Sequence, residues 1–85
     1  MKKEVEIEKI KQIIAEKLGL DIDTVKLDGQ IIDDYGADSL DQIEIIMSIE
    51  DQYDISIPDD EAEELVTIDH VVKYLEGRGI FNRIQ

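Results

Sequence analysis

The stretch that decides the fold is GADSLDQIEI, residues 36–45, where a serine stands between two aspartates at the start of an apolar periodic run. Asp and Ser favour helix starts because their side-chain oxygens accept hydrogen bonds from free backbone N–H groups. The pattern predicts a helix from about Ser39 to Tyr53, with Asp41 in its first turn. Ser39 is therefore either a helix-start residue or a functional hydroxyl placed at a helix start.

Outward from this helix, apolar spacing and capping residues predict three further helical segments. They cover residues 4–18, residues 59–65 and the stretch from Thr67 to Gly77. Gly19 is expected to end the first helix, and Asp59 to cap the short third one. Thr67 is expected to cap the fourth helix and Gly77 to close it. The fold class is therefore all-α: a four-helix bundle with three long helices, one short helix and a long first loop.

The long first loop, residues 20–37, carries several aliphatic side chains among its Asp, Gly and Thr residues. A structureless loop of this length is unusual in a compact domain. We therefore expect it to be pinned across the helix ends.

Composition limits the chain to one small intracellular domain, residues 1–85. The absence of cysteine excludes disulfides and thiolate metal sites. No apolar run is long enough to span a membrane, and the first residues lack the apolar core of a signal peptide. Residues 78–85 are too few for a domain and are expected to fray.

Charge is distributed unevenly along the chain, whose formal net charge is -13. Residues 1–26 hold six Lys against six acids, whereas residues 27–72 hold fifteen Asp and Glu and no Lys or Arg. Such a region repels nucleic acid and anionic membranes and attracts proteins with basic patches. The alternative is that the charge only keeps a small protein in solution.

A helical wheel places apolar residues on two opposite sides of the helix that starts at Ser39. The core side carries Ile45, Ile46, Ile49 and Tyr53. The other side carries Leu40, Ile43 and Met47, which we call the apolar strip, beside Glu44 and Asp51. An exposed apolar strip rimmed by carboxylates is typical of a docking site. The alternative is that the long loop folds back over part of the strip.

Three interpretations of Ser39 remain open at this point. It is a helix-start residue, a hydrolase nucleophile, or a modification site whose phosphodiester is stabilised by the positive helix end. A nucleophile needs a base, but His70 is the only histidine, and no G-x-S-x-G motif surrounds Ser39. A calcium loop at residues 21–32 is also disfavoured, because Lys26 and Ile32 occupy the positions of the required Gly and Glu.

The run GADSLDQIEIIMSIEDQYDISIPDDEAEELVTIDHVVKYLEGR resembles the phosphopantetheine attachment region of the acyl carrier protein family. Asp-Ser-Leu alone would be weak evidence, but here the match extends over about thirty positions, including IPDDEAE. It is closest to the freestanding carriers of bacterial and organellar fatty acid synthesis. The resemblance implies an acyl carrier protein-like bundle in which Ser39, flanked by Asp38 and Leu40, is esterified to 4'-phosphopantetheine from coenzyme A.

In that family a separate phosphopantetheinyl transferase attaches the arm, whose thiol then carries acyl groups as thioesters. The resemblance thus implies a cytoplasmic, monomeric carrier that is not an enzyme and neither binds nucleic acid nor inserts into membranes. Its expected partners are the transferase and fatty acid synthase or other acyl-transfer enzymes with basic docking patches.

The resemblance also implies two sets of residues. The partner-binding set comprises Asp41, Ile43, Glu44, Met47, Glu50, Asp51, Asp59, Asp60, Glu61 and Glu63. The acyl pocket comprises Ile45, Ile46, Ile49, Ile57, Ala62 and Leu65. Lys at Glu44 or Glu50 is expected to weaken partner binding with little change in stability.

Some positions depart from the family pattern. Tyr35 stands where fatty-acid carriers usually have Leu, and residues 26–29 differ from the common polar loop. A specialised carrier for polyketide, peptide or D-alanine transfer therefore remains an alternative. From a different class, an acidic interaction module without a prosthetic group would retain its function after Ser39→Ala.

Overall fold

The computed structural model describes residues 3–80. Within them the chain forms four α-helices: α1 (Lys3–Leu18), α2 (Ser39–Tyr53), α3 (Asp59–Ala62) and α4 (Ile68–Gly77). A single turn of 3-10 helix, Ile22–Thr24, lies in the long first loop. The predicted all-α fold with three long helices and one short helix is confirmed. No helix within residues 3–80 combines the length and the apolar character that crossing a membrane requires.

The helix ends follow local chemistry, with two corrections. Gly19 ends α1 in the left-handed region, at φ +68°. The third helix stops at Ala62, not at residue 65, and Asp59 is its first helical residue, not its cap. Pro58 occupies the cap position and supplies no side-chain acceptor. After Ala62 the hydrogen bonds tighten to the 3-10 type: the Glu64 N–H donates to the Glu61 carbonyl and the Leu65 N–H to the Ala62 carbonyl, both at 3.1 Å. α4 ends at Gly77, as predicted, and Gly79 beyond it has a left-handed backbone.

An aliphatic core joins the long helices. The most deeply buried side chains include Ile10 and Ile14 of α1, Ile45 and Ile49 of α2, and Val71 and Leu75 of α4. Ile80 is also buried, so the domain includes at least the first residues of the segment expected to fray. Residues 81–85 lie outside the described residues, and for them fraying stays a prediction.

The first loop is pinned, as expected. The backbone N–H of Ile31 donates to the Val66 carbonyl at 2.9 Å, and that of Asp69 donates to the Leu27 carbonyl at 2.7 Å. Ala37, at the end of the loop, is buried in the core. The loop therefore crosses to the start of α4 and then fixes the chain just before Ser39.

Tyr35 lies directly over Gly29 within this loop. Its hydroxyl accepts a hydrogen bond from the Lys26 backbone N–H at 2.7 Å. A Cβ atom at position 29 would lie 2.0 Å from Tyr35 Oη and 2.5 Å from Tyr35 Cζ. Tyr35 in this position therefore leaves no room for a side chain at position 29. Tyr35 and the loop that contains Gly29 both depart from the family pattern, and this contact links them.

A buried polar contact joins α1 to the C-terminal end of α2. The side chain of Glu6 is fully buried, and Lys9 Nζ lies 3.2 Å from its Oε2. Burial, and then the interaction with the Glu6 carboxylate, raise the pKa of Tyr53 above its ordinary value. This end of α2, opposite Ser39, is therefore tied to α1 by polar as well as apolar contacts.

Candidate functional site

Ser39 is the first residue of α2, and its side chain is exposed. The helix is capped by aspartates: Asp38 Oδ1 accepts from the Asp41 N–H at 2.8 Å, and Asp41 Oδ2 accepts from the Asp38 N–H at 3.3 Å. Within residues 3–80 the Ser39 hydroxyl takes part in no hydrogen bond. The helix start therefore has its cap without the serine hydroxyl.

The histidine of the chain is engaged at another helix, and Ser39 lies at the positive end of α2. His70 Nδ1 accepts a hydrogen bond from the Thr67 N–H at 3.3 Å, so this histidine caps the start of α4. An exposed hydroxyl in the first turn of a 15-residue helix lies where a phosphodiester is electrostatically favoured. The aspartates on either side, Asp38 and Asp41, each accept one backbone N–H in the capping box, and their negative charge opposes a phosphate there.

A cleft of about 480 Å³ begins at Ser39 and runs between α2 and α3. Ile46, Ile57 and Ala62 give it apolar walls, and Glu50 and Glu63 lie along it. Three of the six predicted pocket residues therefore line a cleft that begins at Ser39. The other three, Ile45, Ile49 and Leu65, are buried in the core instead of lining the cleft.

The apolar strip is exposed, as the helical wheel predicted. Leu40, Ile43 and Met47 are 62%, 55% and 56% exposed, so the first loop does not cover them. Ile43 and Met47 also line the cleft. The strip and the cleft therefore form one continuous surface on the side of α2 away from the core.

The structure divides the predicted docking carboxylates into free and engaged groups. The side chains of Asp51, Asp59, Asp60 and Glu63 are exposed. Glu44 has only a weak ion pair, with its Oε2 3.9 Å from Lys17 Nζ.

Three carboxylates already make contacts that stabilise the fold. Asp41 belongs to the α2 capping box. Glu50 Oε2 accepts a hydrogen bond from the Ile57 N–H at 2.8 Å, and Glu61 accepts one from the Tyr74 hydroxyl. Sequence reasoning missed these uses, and it missed Tyr74 altogether.

Metal binding has no arranged site in the part of the chain that the structure describes. Across residues 3–80, no three or more His, Cys, Asp or Glu side chains form a group able to hold a metal ion.

Comparison with known proteins places this site in a family. The family model described as "Phosphopantetheine attachment site" matches residues 8–75, a region that contains Ser39. The chain is 51% identical over 71 residues to the acyl carrier protein of Bdellovibrio bacteriovorus, covering 84% of this chain and 91% of that protein. It is 48% identical over 70 residues to the acyl carrier protein of Clostridium acetobutylicum, covering 82% and 91%. For the acyl carrier protein of Campylobacter lari the identity is 47% over 68 residues, covering 80% and 88%.

Proposed function

The chain belongs to the acyl carrier protein family, and from this premise we propose that it carries fatty acyl groups on a 4'-phosphopantetheine arm esterified to Ser39. Phosphopantetheine and the carrier function come with the family. The observation that supports Ser39 as the attachment point is its exposed hydroxyl, which the helix cap does not use. We infer that the protein itself catalyses no reaction, because members of its family carry groups between enzymes.

Each part of the site has a defined task under this proposal. Ser39 Oγ is the phosphate ester oxygen, and the N-terminal end of α2 stabilises the charge of the phosphodiester. The bound arm supplies a thiol that holds the cargo as a thioester. The apolar walls at Ile46, Ile57 and Ala62 favour a hydrocarbon cargo over an aminoacyl one.

Glu50 and Glu63 also line the cleft, so an acyl chain lying in it would contact charged as well as apolar side chains. Behind the cleft lie Ile45, Ile49 and Leu65, which are buried in the core. Because packed interiors leave few voids, these residues can contact cargo only if α3 moves outward. The proposed acyl pocket is therefore an enlarged form of the cleft.

The proposed partners are a phosphopantetheinyl transferase and fatty acid synthase enzymes with basic docking patches. The apolar strip gives such a partner exposed apolar surface to cover when it binds. The exposed carboxylates beside the strip attract the basic patch of the partner and orient it. A carrier that visits many active sites is expected to be a monomer, in the cytoplasm with the biosynthetic enzymes.

The intact mass of the purified protein tests this proposal. After incubation with coenzyme A and a broad-specificity phosphopantetheinyl transferase, we expect a gain of one phosphopantetheine ester. A folded protein known to lack the arm beforehand that gains nothing would contradict the attachment. If the arm is gained but fatty acyl thioesters on it are not elongated by several fatty acid synthase enzymes, the fatty acid pathway is wrong, and a specialised carrier is favoured.

Glu44→Lys is expected to weaken binding to a basic transferase about tenfold at low salt, with much less effect at high salt. Glu44 lies on α2 beside the apolar strip, and its one ion pair within residues 3–80 is long and half-exposed. The free energy of unfolding should therefore change by no more than about 0.5 kcal/mol. Isothermal titration calorimetry at two salt concentrations, with urea unfolding in parallel, measures both quantities.

Glu16→Lys is the matched control, because it changes the net charge equally and lies on α1, not on α2. Equal losses of affinity in the two variants would show that only net charge matters and would contradict a docking face on α2. Glu50→Lys is not equivalent: it removes the acceptor of the Ile57 N–H, so at that position we expect a loss of stability as well as of binding.

A further inference from the structure

A glutamate is buried in the core at the end of α2 that lies opposite Ser39. The side chain of Glu6, on α1, is 0% exposed, and within residues 3–80 it is the one charged side chain that is buried. The other buried side chains of these residues are hydrophobic. Charged groups are almost never fully buried unless they are paired. Neither attachment of the arm nor docking of partners uses this carboxylate.

Two neighbours pair with the Glu6 carboxylate. Lys9 Nζ lies 3.2 Å from its Oε2, and the Lys9 side chain stays 40% exposed, so the lysine covers the carboxylate from the solvent side. Tyr53, the last residue of α2, contacts it from the other helix. Burial, followed by this interaction with Glu6, raises the pKa of Tyr53, so its hydroxyl stays protonated and can donate to the carboxylate. We call Glu6 and Tyr53 the polar end of the core.

Helices α1 and α2 run antiparallel, and the polar end lies at one end of their contact. Glu6, near the start of α1, meets Tyr53 at the end of α2. Near the end of α1, Lys17 Nζ lies 3.9 Å from Glu44 Oε2, in the first half of α2. Between these two contacts the buried side chains are all aliphatic: Ile10, Ile14 and Ala15 on α1, and Ile45, Ile46 and Ile49 on α2. The interface is therefore an aliphatic stack that ends at a polar pair.

The cleft that starts at Ser39 leads onto this aliphatic stack. Ile46 lines the cleft and is only 7% exposed, so it belongs to both the cleft and the core. Ile49 follows on the same side of α2, and Tyr53 follows Ile49 by about 6 Å along the helix axis. A hydrocarbon chain that enters the core past Ile46 therefore meets Ile49 first and the polar end last.

The stack and the polar end respond differently to a hydrocarbon chain. Each methylene that leaves water to lie among aliphatic side chains is stabilised. A chain end that pushes between Glu6 and Tyr53 instead separates the carboxylate from the hydroxyl and gives both a hydrocarbon neighbour. Buried polar and charged groups that lose a partner destabilise the folded state by more than one methylene stabilises it. Lengthening the chain is therefore favourable only as far as the polar end.

We propose that the polar end of the core limits the length of the acyl chain that the protein can hold inside, which makes Glu6 and Tyr53 specificity-determining residues for cargo length. Chains that end at Ile49 lie wholly among aliphatic side chains. Longer chains leave their excess methylene groups in the cleft or in water. This inference rests on the proposed carrier function, since it concerns the cargo of the arm.

Unfolding of the acylated protein in urea tests the limit. A broad-specificity phosphopantetheinyl transferase loads the protein from coenzyme A thioesters, in a series from butyryl to palmitoyl, and intact mass confirms each load. We expect the unfolding midpoint to rise with chain length among the shorter members and then to level off. In the double variant Glu6→Leu, Tyr53→Phe both polar groups are replaced by apolar side chains of similar size. There the rise should continue for at least one further member of the series.

Glu6→Gln is the matched control for the double variant. It removes the charge but keeps the size of the side chain and an oxygen that accepts from Tyr53, so the midpoint should level off at the same length as in the unsubstituted protein. A second measurement needs no variant. Nuclear Overhauser contacts from the terminal methyl group of the longer chains should reach Ile46 and Ile49 and should be absent to Glu6.

Three results would overturn the inference: a midpoint that levels off at the same length in the double variant, an equal displacement in Glu6→Gln, or methyl contacts to Glu6. A midpoint that keeps rising through palmitoyl in the unsubstituted protein would do the same. Any of these results in a protein whose mass shows the loaded arm contradicts the length limit alone. A protein that gains no arm contradicts the proposed carrier function, and the length limit with it.

Discussion

Ser39→Ala is expected to abolish the gain of a phosphopantetheine arm completely while leaving the fold intact. The substitution removes only the hydroxyl group, which makes no hydrogen bond within residues 3–80. Asp38 and Asp41 still cap the helix, and alanine is well tolerated inside a helix start. We expect the free energy of unfolding to change by less than about 0.5 kcal/mol. Intact mass after incubation with coenzyme A and a transferase, together with urea unfolding, measures both outcomes.

Two comparisons separate attachment from stability. Ser48→Ala and Ser56→Ala remove the other serine hydroxyls of the chain and should leave the mass gain unchanged. Asp38→Ala removes the cap and should cost about 1 kcal/mol of stability while keeping the attachment hydroxyl. A full mass gain in Ser39→Ala would show that the arm is attached elsewhere and would leave Ser39 as a helix-start residue.

Gly29→Ala is expected to destabilise the protein by about 2 kcal/mol, because the new methyl group occupies the space of the Tyr35 ring. The clash involves Oη and ring carbons together, so a small rotation does not relieve it. Displacing the ring also breaks the hydrogen bond from the Lys26 N–H. The free energy of unfolding in urea, measured for each single variant and for the pair, gives the size of the effect.

Tyr35→Leu should rescue much of this loss, since a shorter side chain leaves room for the methyl group. The coupling between the two changes is expected to be at least about 1 kcal/mol. Gly77→Ala is the matched control: its Cβ would meet no atom within 4 Å, and alanine suits the helix in which it lies. If Gly29→Ala proves as mild as Gly77→Ala, the proposed pairing of positions 29 and 35 is wrong.

The helices that sequence reasoning placed well are those whose signals are local. Ser39 and Tyr53 were predicted as the ends of α2 and are its ends, because a capping box and a strong apolar period mark it. Thr67 was likewise predicted to cap α4 and does so. The third helix was predicted too long, because after Ala62 the chain continues in tighter i→i+3 turns to Leu65, which the apolar and capping pattern does not distinguish from α-helix.

The same limit applies to the site. Exposure of Met47 followed from helical geometry, because the opposite side of α2 is fully occupied by the core. That Glu50 and Glu61 are engaged within the fold did not follow, since their partners Ile57 and Tyr74 belong to other elements. An acidic side chain in a helix gives no sign in the sequence of whether it faces solvent or a neighbouring donor. For the same reason the sequence did not distinguish the pocket residues that line the cleft from those that are buried in the core, Ile45, Ile49 and Leu65.

Residues 27–72 hold fifteen Asp and Glu and no Lys or Arg. Salt therefore has opposite effects on the stability of the protein and on its binding to basic partners. The carboxylates of α2 and α3 repel one another with no lysine or arginine between them in sequence, and this repulsion opposes the native state. Added salt shortens the Debye length, to about 10 Å at 0.1 M, and so relieves the repulsion and favours folding. The same screening weakens attraction to a basic partner. Raising the ionic strength therefore stabilises the free protein and slows its binding to a basic partner. Such a partner binds fastest at low ionic strength, where the protein is least stable.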